Sequence, residues 1–151
     1  MGESVFDASF IGYANGPLEE LASNPSGVLG HLARAVEEVA AGRGFIRCNP
    51  KLLTEYDRLV KEYRNDLIVE FISLLDSGKT IRLTSSSLSR QENARAERCN
   101  WPQHDRHLLA AAVGGSKVTI HVTEPRLGQC SPRIWRLFEI RVNFVPIESK
   151  T

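Results

Sequence analysis

The sequence predicts an α/β fold, a three-layer α/β/α sandwich around a mainly parallel central sheet of four to five strands. Two observations lead there. Short β-rich runs alternate along the chain with longer segments of helical periodicity. The 151 residues, 42% of them hydrophobic, suffice for one core without metals or disulfides to staple it. Neither an internal repeat nor a low-complexity tract interrupts the alternation, so residues 1–151 read as a single domain.

Residues 4–6 enter the first strand, which runs into Asp7-Ala8-Ser9. Phe10 to Tyr13 continue apolar until Asn15-Gly16-Pro17 breaks the pattern. Val28, Leu29, Leu32, Val36 and Val39 fall on one helical stripe, with Ser26 as its cap and Gly42 and Gly44 as its stop. Residues 45–48 suit a short buried strand. Asn49-Pro50 supplies a capping side chain and a proline for the first turn of the next helix. Leu52, Leu53, Tyr56, Leu59, Val60 and Tyr63 form its apolar face, with Glu55 beside it. Asn65-Asp66 caps a further helix, whose stripe is Leu67, Ile68, Phe71, Leu74 and Leu75 before Asp76-Ser77-Gly78 ends it. Residues 81–83 give a third strand and 85–87 a loop, and the stretch 89–98 is so polar that, if helical, it lies on the surface.

The rest of the chain is organised around residues 104–127. Asp105 opens a helix with Leu108, Leu109, Ala112 and Val113 on one face, and Gly114-Gly115 ends it where a left-handed cap is wanted. Val118, Ile120 and Val122 then alternate with Thr119 and His121 as in a strand. That strand delivers Thr123 and Glu124 at its carboxyl end, the edge where ligands gather in open α/β sheets. Ser131-Pro132 opens a last helix with Ile134, Leu137 and Phe138 inward. Residues 138–144 also alternate, which leaves the helix-to-strand boundary open, and a strand near 142–145 closes the domain.

The net charge of +1 conceals an asymmetry. Residues 1–81 carry 8 basic and 12 acidic side chains, a balance of −4, whereas residues 82–151 carry 11 and 6, a balance of +5. Arginine dominates the basic half, and its forked guanidinium suits phosphate, which leaves a nucleic-acid partner open, but on charge alone a solvated surface is the preferred reading. Apolar runs extend only a few residues and the start MGESVF lacks the basic end and apolar core of a signal peptide, so a cytoplasmic protein without membrane attachment is expected. Cys48, Cys99 and Cys130 are odd in number and scattered, which suits neither a disulfide framework nor a zinc knuckle.

Asp7 after the first strand, Glu55 early in the helix after the second, and Asp105 at the head of the central helix are placed where this layout brings carboxylates together. Such a group suits hard divalent cations, Mg²⁺ or Mn²⁺, which prefer oxygen ligands and keep waters that a phosphate can displace. Taken singly, each is better read as structural, Asp7 as a turn former, Glu55 as a solvated helix residue and Asp105 as a favourable charge at a helix start. Cys99, His104 and His107 have loosely zinc-like spacing, and Trp101 and Trp135 suit either base stacking or core packing. Gly114-Gly115 follows a helix, where a phosphate-cradling loop would precede one.

Together, VFDASFIGYA, NPKLLTEYDRLV and HDRHLLAAAVGG followed by KVTIHVTEPRL resemble the motif order of PIN-domain (PilT N-terminus) nucleases, which include the VapC-like toxin ribonucleases. The resemblance covers nearly the whole chain, and Asp7, Ser9, Glu55, Asp105 and Thr123 match the family pattern position by position. It implies a Mg²⁺- or Mn²⁺-dependent endoribonuclease that hydrolyses RNA phosphodiesters, as the toxin of a toxin–antitoxin pair and as a homodimer. On it, Asp7, Glu55 and Asp105 bind the metal, Ser9 and Thr123 orient ligands or water, and Glu124 is an auxiliary acid. Arg106, Arg126 and Arg133, chosen for closeness in sequence to the acids, grip the RNA backbone. One departure stands out: the family's fourth acid falls two residues after the threonine, where this chain has Pro125, with Glu124 one place earlier. It keeps open a degenerate PIN-like domain that binds RNA or a protein without cutting, and an unrelated α/β domain whose acids are structural.

Overall fold

The structure, a computed structural model, describes residues 2–19 and 23–147. Five strands, β1 (Gly2–Phe6), β2 (Gly44–Cys48), β3 (Ile81–Leu83), β4 (Val118–Val122) and β5 (Arg141–Phe144), form one sheet. All are parallel, in the order β3-β2-β1-β4-β5. Parallel strands need covered crossovers, and among the described residues eight helices supply them: α1 (Ala8–Ala14), α2 (Val28–Ala40), α3 (Pro50–Leu59), α4 (Asp66–Leu75), α5 (Arg90–Arg98), α6 (Arg106–Ala112), α7 (Pro125–Gln129) and α8 (Ser131–Phe138). This is the three-layer α/β/α arrangement expected from the alternation of elements.

Side chains alternate across the sheet, and each face has its own layer of helices. On one face Phe6 meets Phe10 of α1 and Phe71 of α4, with ring centroids 5.3 and 5.7 Å apart, and stacks on its register neighbour His121 at 4.5 Å. Burial pushes the His121 imidazole down to about 3, so the ring stays neutral in this core. On the other face Arg47 of β2 is buried and fully engaged: it donates to the carbonyls of Ala111 at 2.7 Å and Val113 at 2.9 Å, and pairs with Glu3 at 3.0 Å. These bonds tie the end of α6 to the sheet and offset the desolvation of the guanidinium.

The expected caps hold for α3 and α4, where the Asn49 and Asn65 side chains accept from the Leu52 and Ile68 amides at 3.0 and 2.8 Å. The polar stretch before Cys99 forms α5, closed by a capping box between Ser89 and Glu92. Several boundaries differ from the sequence reading. Gly27, not Ser26, stands at the head of α2. Leu59 and Tyr63 are exposed rather than part of the buried face of α3. The apolar run after Asp7 is helical, and Asp105 ends a 3-10 turn (Gln103–Asp105), so that α6 starts at Arg106. Glu139 at φ 56° separates α8 from β5, which settles the ambiguous stretch 138–144 in favour of a helix and then a strand. Among the described residues no helix is long and apolar enough to cross a membrane.

Candidate functional site

The chain steps outward from β1 to β2 to β3 and then returns to the other side of β1 with β4, so β1 and β4 flank the point where the strand order reverses. The crevice beyond the carboxyl ends of such a pair is the usual ligand site of an open α/β sheet. Asp7 follows β1 there and Thr123 follows β4. The Asp7 amide donates to the His121 carbonyl at 3.0 Å, which fixes the two strand ends against each other. Ser9, in the first turn of α1, donates to Asp7 Oδ2 at 3.0 Å and lies 3.4 Å from Thr123 Oγ1. Three residues singled out from the sequence are thereby joined in one hydrogen-bonded chain.

Asn49 aims the next acid. Besides capping α3, its side chain donates to the carbonyl of His107 at 2.9 Å and to that of Ser85 at 3.3 Å, so the head of α3 is held against α6. Tyr56 donates from its hydroxyl to the Phe6 carbonyl, anchoring α3 to the end of β1. Glu55 precedes Tyr56, and its Oε1 meets Nε2 of the buried His107. Asp105 is half-buried and its backbone carbonyl accepts from Trp101 Nε1 at 2.7 Å. His104 Nε2 lies 3.2 Å from Asp105 Oδ2, an ion-pair distance, and that buried oxygen accepts no hydrogen bond.

The acids act on one another through space. Burial raises the Asp7 carboxyl to about 6; the Ser9 hydrogen bond pulls it back, and the charges of Asp105 and Glu55 push it further up. Burial also raises Asp105, opposed by His104 and His107 and reinforced by Glu124 and Glu55. Asp7 is thus coupled through space to Asp105 and Glu55, and Asp105 to Glu55 and Glu124. They do not share one coordination sphere: among the described residues no group of three or more His, Cys, Asp or Glu side chains is gathered tightly enough to hold a metal ion. Glu55 is turned onto His107, and Asp7 onto Ser9. The donor set is nevertheless all carboxylate and hydroxyl oxygen, the chemistry Mg²⁺ and Mn²⁺ prefer, and Asp105 Oδ2 is a buried acceptor without a donor.

Pro125 does not form a loop. It occupies the first turn of α7, where its fixed φ and missing N–H are tolerated, and Glu124 stands just before it. Glu124 is exposed yet close enough to act on Asp105, so the acid one place early still contributes charge to the pocket.

The arginines are arranged differently from one another. Arg106 is half-buried and donates to Asn93 Oδ1 at 3.3 Å, leaning toward α5. Arg126 and Arg133 are exposed, and their charges act on the Cys130 thiol. The spacing of Cys99, His104 and His107 makes no zinc site, because His104 sits by Asp105, His107 faces Glu55, and the Cys99 thiol is buried beside Cys130. His107, Asn49 and Tyr56 hold the acids in place and were not singled out for that role. Only Asn49 has a visible signal, its capping position, and nothing in the sequence spacing links His107 to Glu55. No family model, no curated protein and no solved structure matches the chain.

Proposed function

We propose that the chain is a PIN-like, Mg²⁺- or Mn²⁺-dependent endoribonuclease. The observation that carries this reading is the state of Asp7, a buried carboxyl at the strand-order switch, raised to about 6 with Asp105 and Glu55 adding to the rise. Neighbouring like charges favour a cation between them, and pKa values displaced by both burial and like charge mark functional sites. Asp7 and Asp105 would hold the ion, with Glu55 and Glu124 adding negative charge to the site. When bound, the ion polarises a phosphoryl oxygen and lowers the pKa of a water.

The protein's own residues do the rest. Ser9 and Thr123 present adjacent hydroxyls that orient a phosphate oxygen or the attacking water beside Asp7. His107 fixes the Glu55 carboxylate, leaving its second oxygen to accept a proton. In the cell the same reading makes the protein a cytoplasmic homodimer and the toxin partner of an antitoxin. A second reading, a domain that holds RNA or a protein without cutting, is favoured by one observation: Pro125 opens α7 where the family carries its fourth acid.

Incubation of a mixed single-stranded RNA pool with Mn²⁺ separates the two. Cleavage that falls at least about 100-fold in Asp7→Asn and Asp105→Asn is expected for the enzyme. An intact pool with RNA still retained on the protein would support the binder instead.

A further inference from the structure

We propose that the cavity between α2 and the paired strands β1 and β4 is a second ligand site, which takes the phosphate group of a small molecule. The cavity measures about 230 Å³, and Ser4, His31, Arg34, Thr119 and His121 line it. A parallel sheet covered on both faces carries near-continuous apolar strands. The face under α2 departs from that rule. Ser4 is in register with Ile46 of β2 and Thr119 of β4, Phe6 with His121, and His121 with Asn143 of β5. Residues in register share a face, so β1, β4 and β5 place two hydroxyls, an imidazole and an amide where β2 supplies an apolar side chain. A Cβ added to Gly2, which also lines the cavity, would meet nothing within 4 Å.

The hydrogen-bond network determines which of these groups donate. Arg34 Nη2 lies 3.1 Å from His31 Nδ1, and because a guanidinium cannot accept, that ring nitrogen carries no hydrogen. The Asn143 amide nitrogen, 3.3 Å from the same atom, therefore donates to it as well, and gives its other hydrogen to His121 Nδ1 at 3.1 Å. Both rings are thus fixed as Nε2–H tautomers. His31 turns its N–H to the Ser26 backbone. The Nε2–H of His121 has no partner among the described residues, and neither have the hydroxyls of Ser4 and Thr119. His121 is only 8% exposed, and a buried donor left unmade is costly, so an acceptor in the cavity completes the network.

Donor count and charge select the occupant. Arg34 is exposed at the rim, braced by the Pro25 carbonyl at 3.3 Å, and forms no ion pair among the described residues. The other lining cation, Arg43, is neutralised by Glu38 through both carboxylate oxygens, and Glu37 is exposed outside the lining. What remains is one unpaired guanidinium beside an imidazole N–H and two hydroxyls. Four donors exceed what the two oxygens of a carboxylate need and suit the three free oxygens of a phosphate monoester. The volume falls below the roughly 300 Å³ at which sites for drug-sized ligands begin, so the occupant is small.

The test is calorimetric titration of the protein with inorganic phosphate in metal-free buffer at constant ionic strength, and it stands apart from the ribonuclease reading. Arg34→Gln is expected to weaken binding at least about tenfold, and Thr119→Val, which keeps the shape and removes the donor, about fivefold. Arg136→Gln, an exposed arginine on α8, serves as the control and is expected to leave affinity unchanged. In NMR spectra of the imidazole nitrogens, His121 should appear as the Nε2–H tautomer, and its Nε2 resonance should move when phosphate is added. Ribose 5-phosphate distinguishes the sources: tighter binding than inorganic phosphate assigns the site to an ester, equal binding to the free anion. Absence of phosphate binding at about 20 mM overturns the site. So does equal affinity for acetate, affinity unchanged in both Arg34→Gln and Thr119→Val, or a His121 ring that carries its hydrogen on Nδ1.

Discussion

Asp7 is where the physical argument is sharpest, because the structure gives its carboxyl several reasons to stay protonated and one to ionise. Burial and the charges of Asp105 and Glu55 outweigh the Ser9 hydrogen bond, and the group titrates at about 6 instead of near 3.8. A folded-state pKa above the unfolded one means that the native state binds the proton more tightly. The associated stability is fully present below about pH 4 and is lost as pH rises through 6. A displacement of this size corresponds to about 3 kcal/mol, an upper value for a carboxyl with a polar neighbour. Asp7→Asn keeps an acceptor for Ser9 and removes the ionisable group. It should therefore melt several degrees above the parent protein at pH 7.5 and together with it at pH 4, measured by calorimetry in EDTA. A variant that melts below the parent at pH 7.5 would mean that the ionised carboxylate is stabilised in the native state, contrary to the cause assigned here.

Between residues and fold lie the elements, and here the legibility of the sequence was uneven for physical reasons. Asn49 and Asn65 announced α3 and α4 because a capping side chain next to a periodic apolar face is a local signal, and the structure places both side chains on the expected amides. Helix α1 carried no such signal. It is short, and Ala8, Phe10, Ile11 and Ala14 are buried around most of its circumference, so no polar stripe marks a period. Helix α7 was hidden for the opposite reason: Pro125 reads as a break until the chain direction shows it to be a first turn. Asp7, Asp105 and Glu124 were legible because each stands at an element boundary, whereas Glu55 lies inside α3 and its partner His107, 52 residues away, is selected only by packing. The element most exposed to test is the head of α3, where one side chain caps a helix and bridges to two other carbonyls. Asn49→Ala should cost about 2–3 kcal/mol in chemical denaturation, and Asn49→Ser, which can restore only the cap, should recover about 1 kcal/mol of it. Full recovery by serine would show that the bridges to Ser85 and His107 contribute nothing measurable.

At the scale of the whole molecule, the site joins the two ends of the charge asymmetry. Residues 1–81 contribute Asp7 and Glu55, residues 82–151 contribute Asp105 and Glu124, and β1 and β4 bring the halves together. No pair of neighbouring residues makes the pocket, so it exists only in the folded chain. An ion that binds it must stabilise the fold as a whole, by about 2.7 kcal/mol at a hundredfold excess over its dissociation constant. For a chain of this length that is a rise in Tm of about 5–11 °C. The effect should depend on pH in the sense opposite to the proton's: the Asp7 carboxyl must give up its proton to bind, so Mn²⁺ should raise Tm more at pH 7.5 than at pH 5, on either side of about 6. Asp7→Asn and Asp105→Asn should each abolish most of the rise, and the double variant all of it. Because the measurement is a melting curve, it requires neither an RNA substrate nor an active enzyme. An equal rise in the double variant would place the ion elsewhere on the molecule, and the carboxyl edge of the sheet would lose its claim to be the metal site.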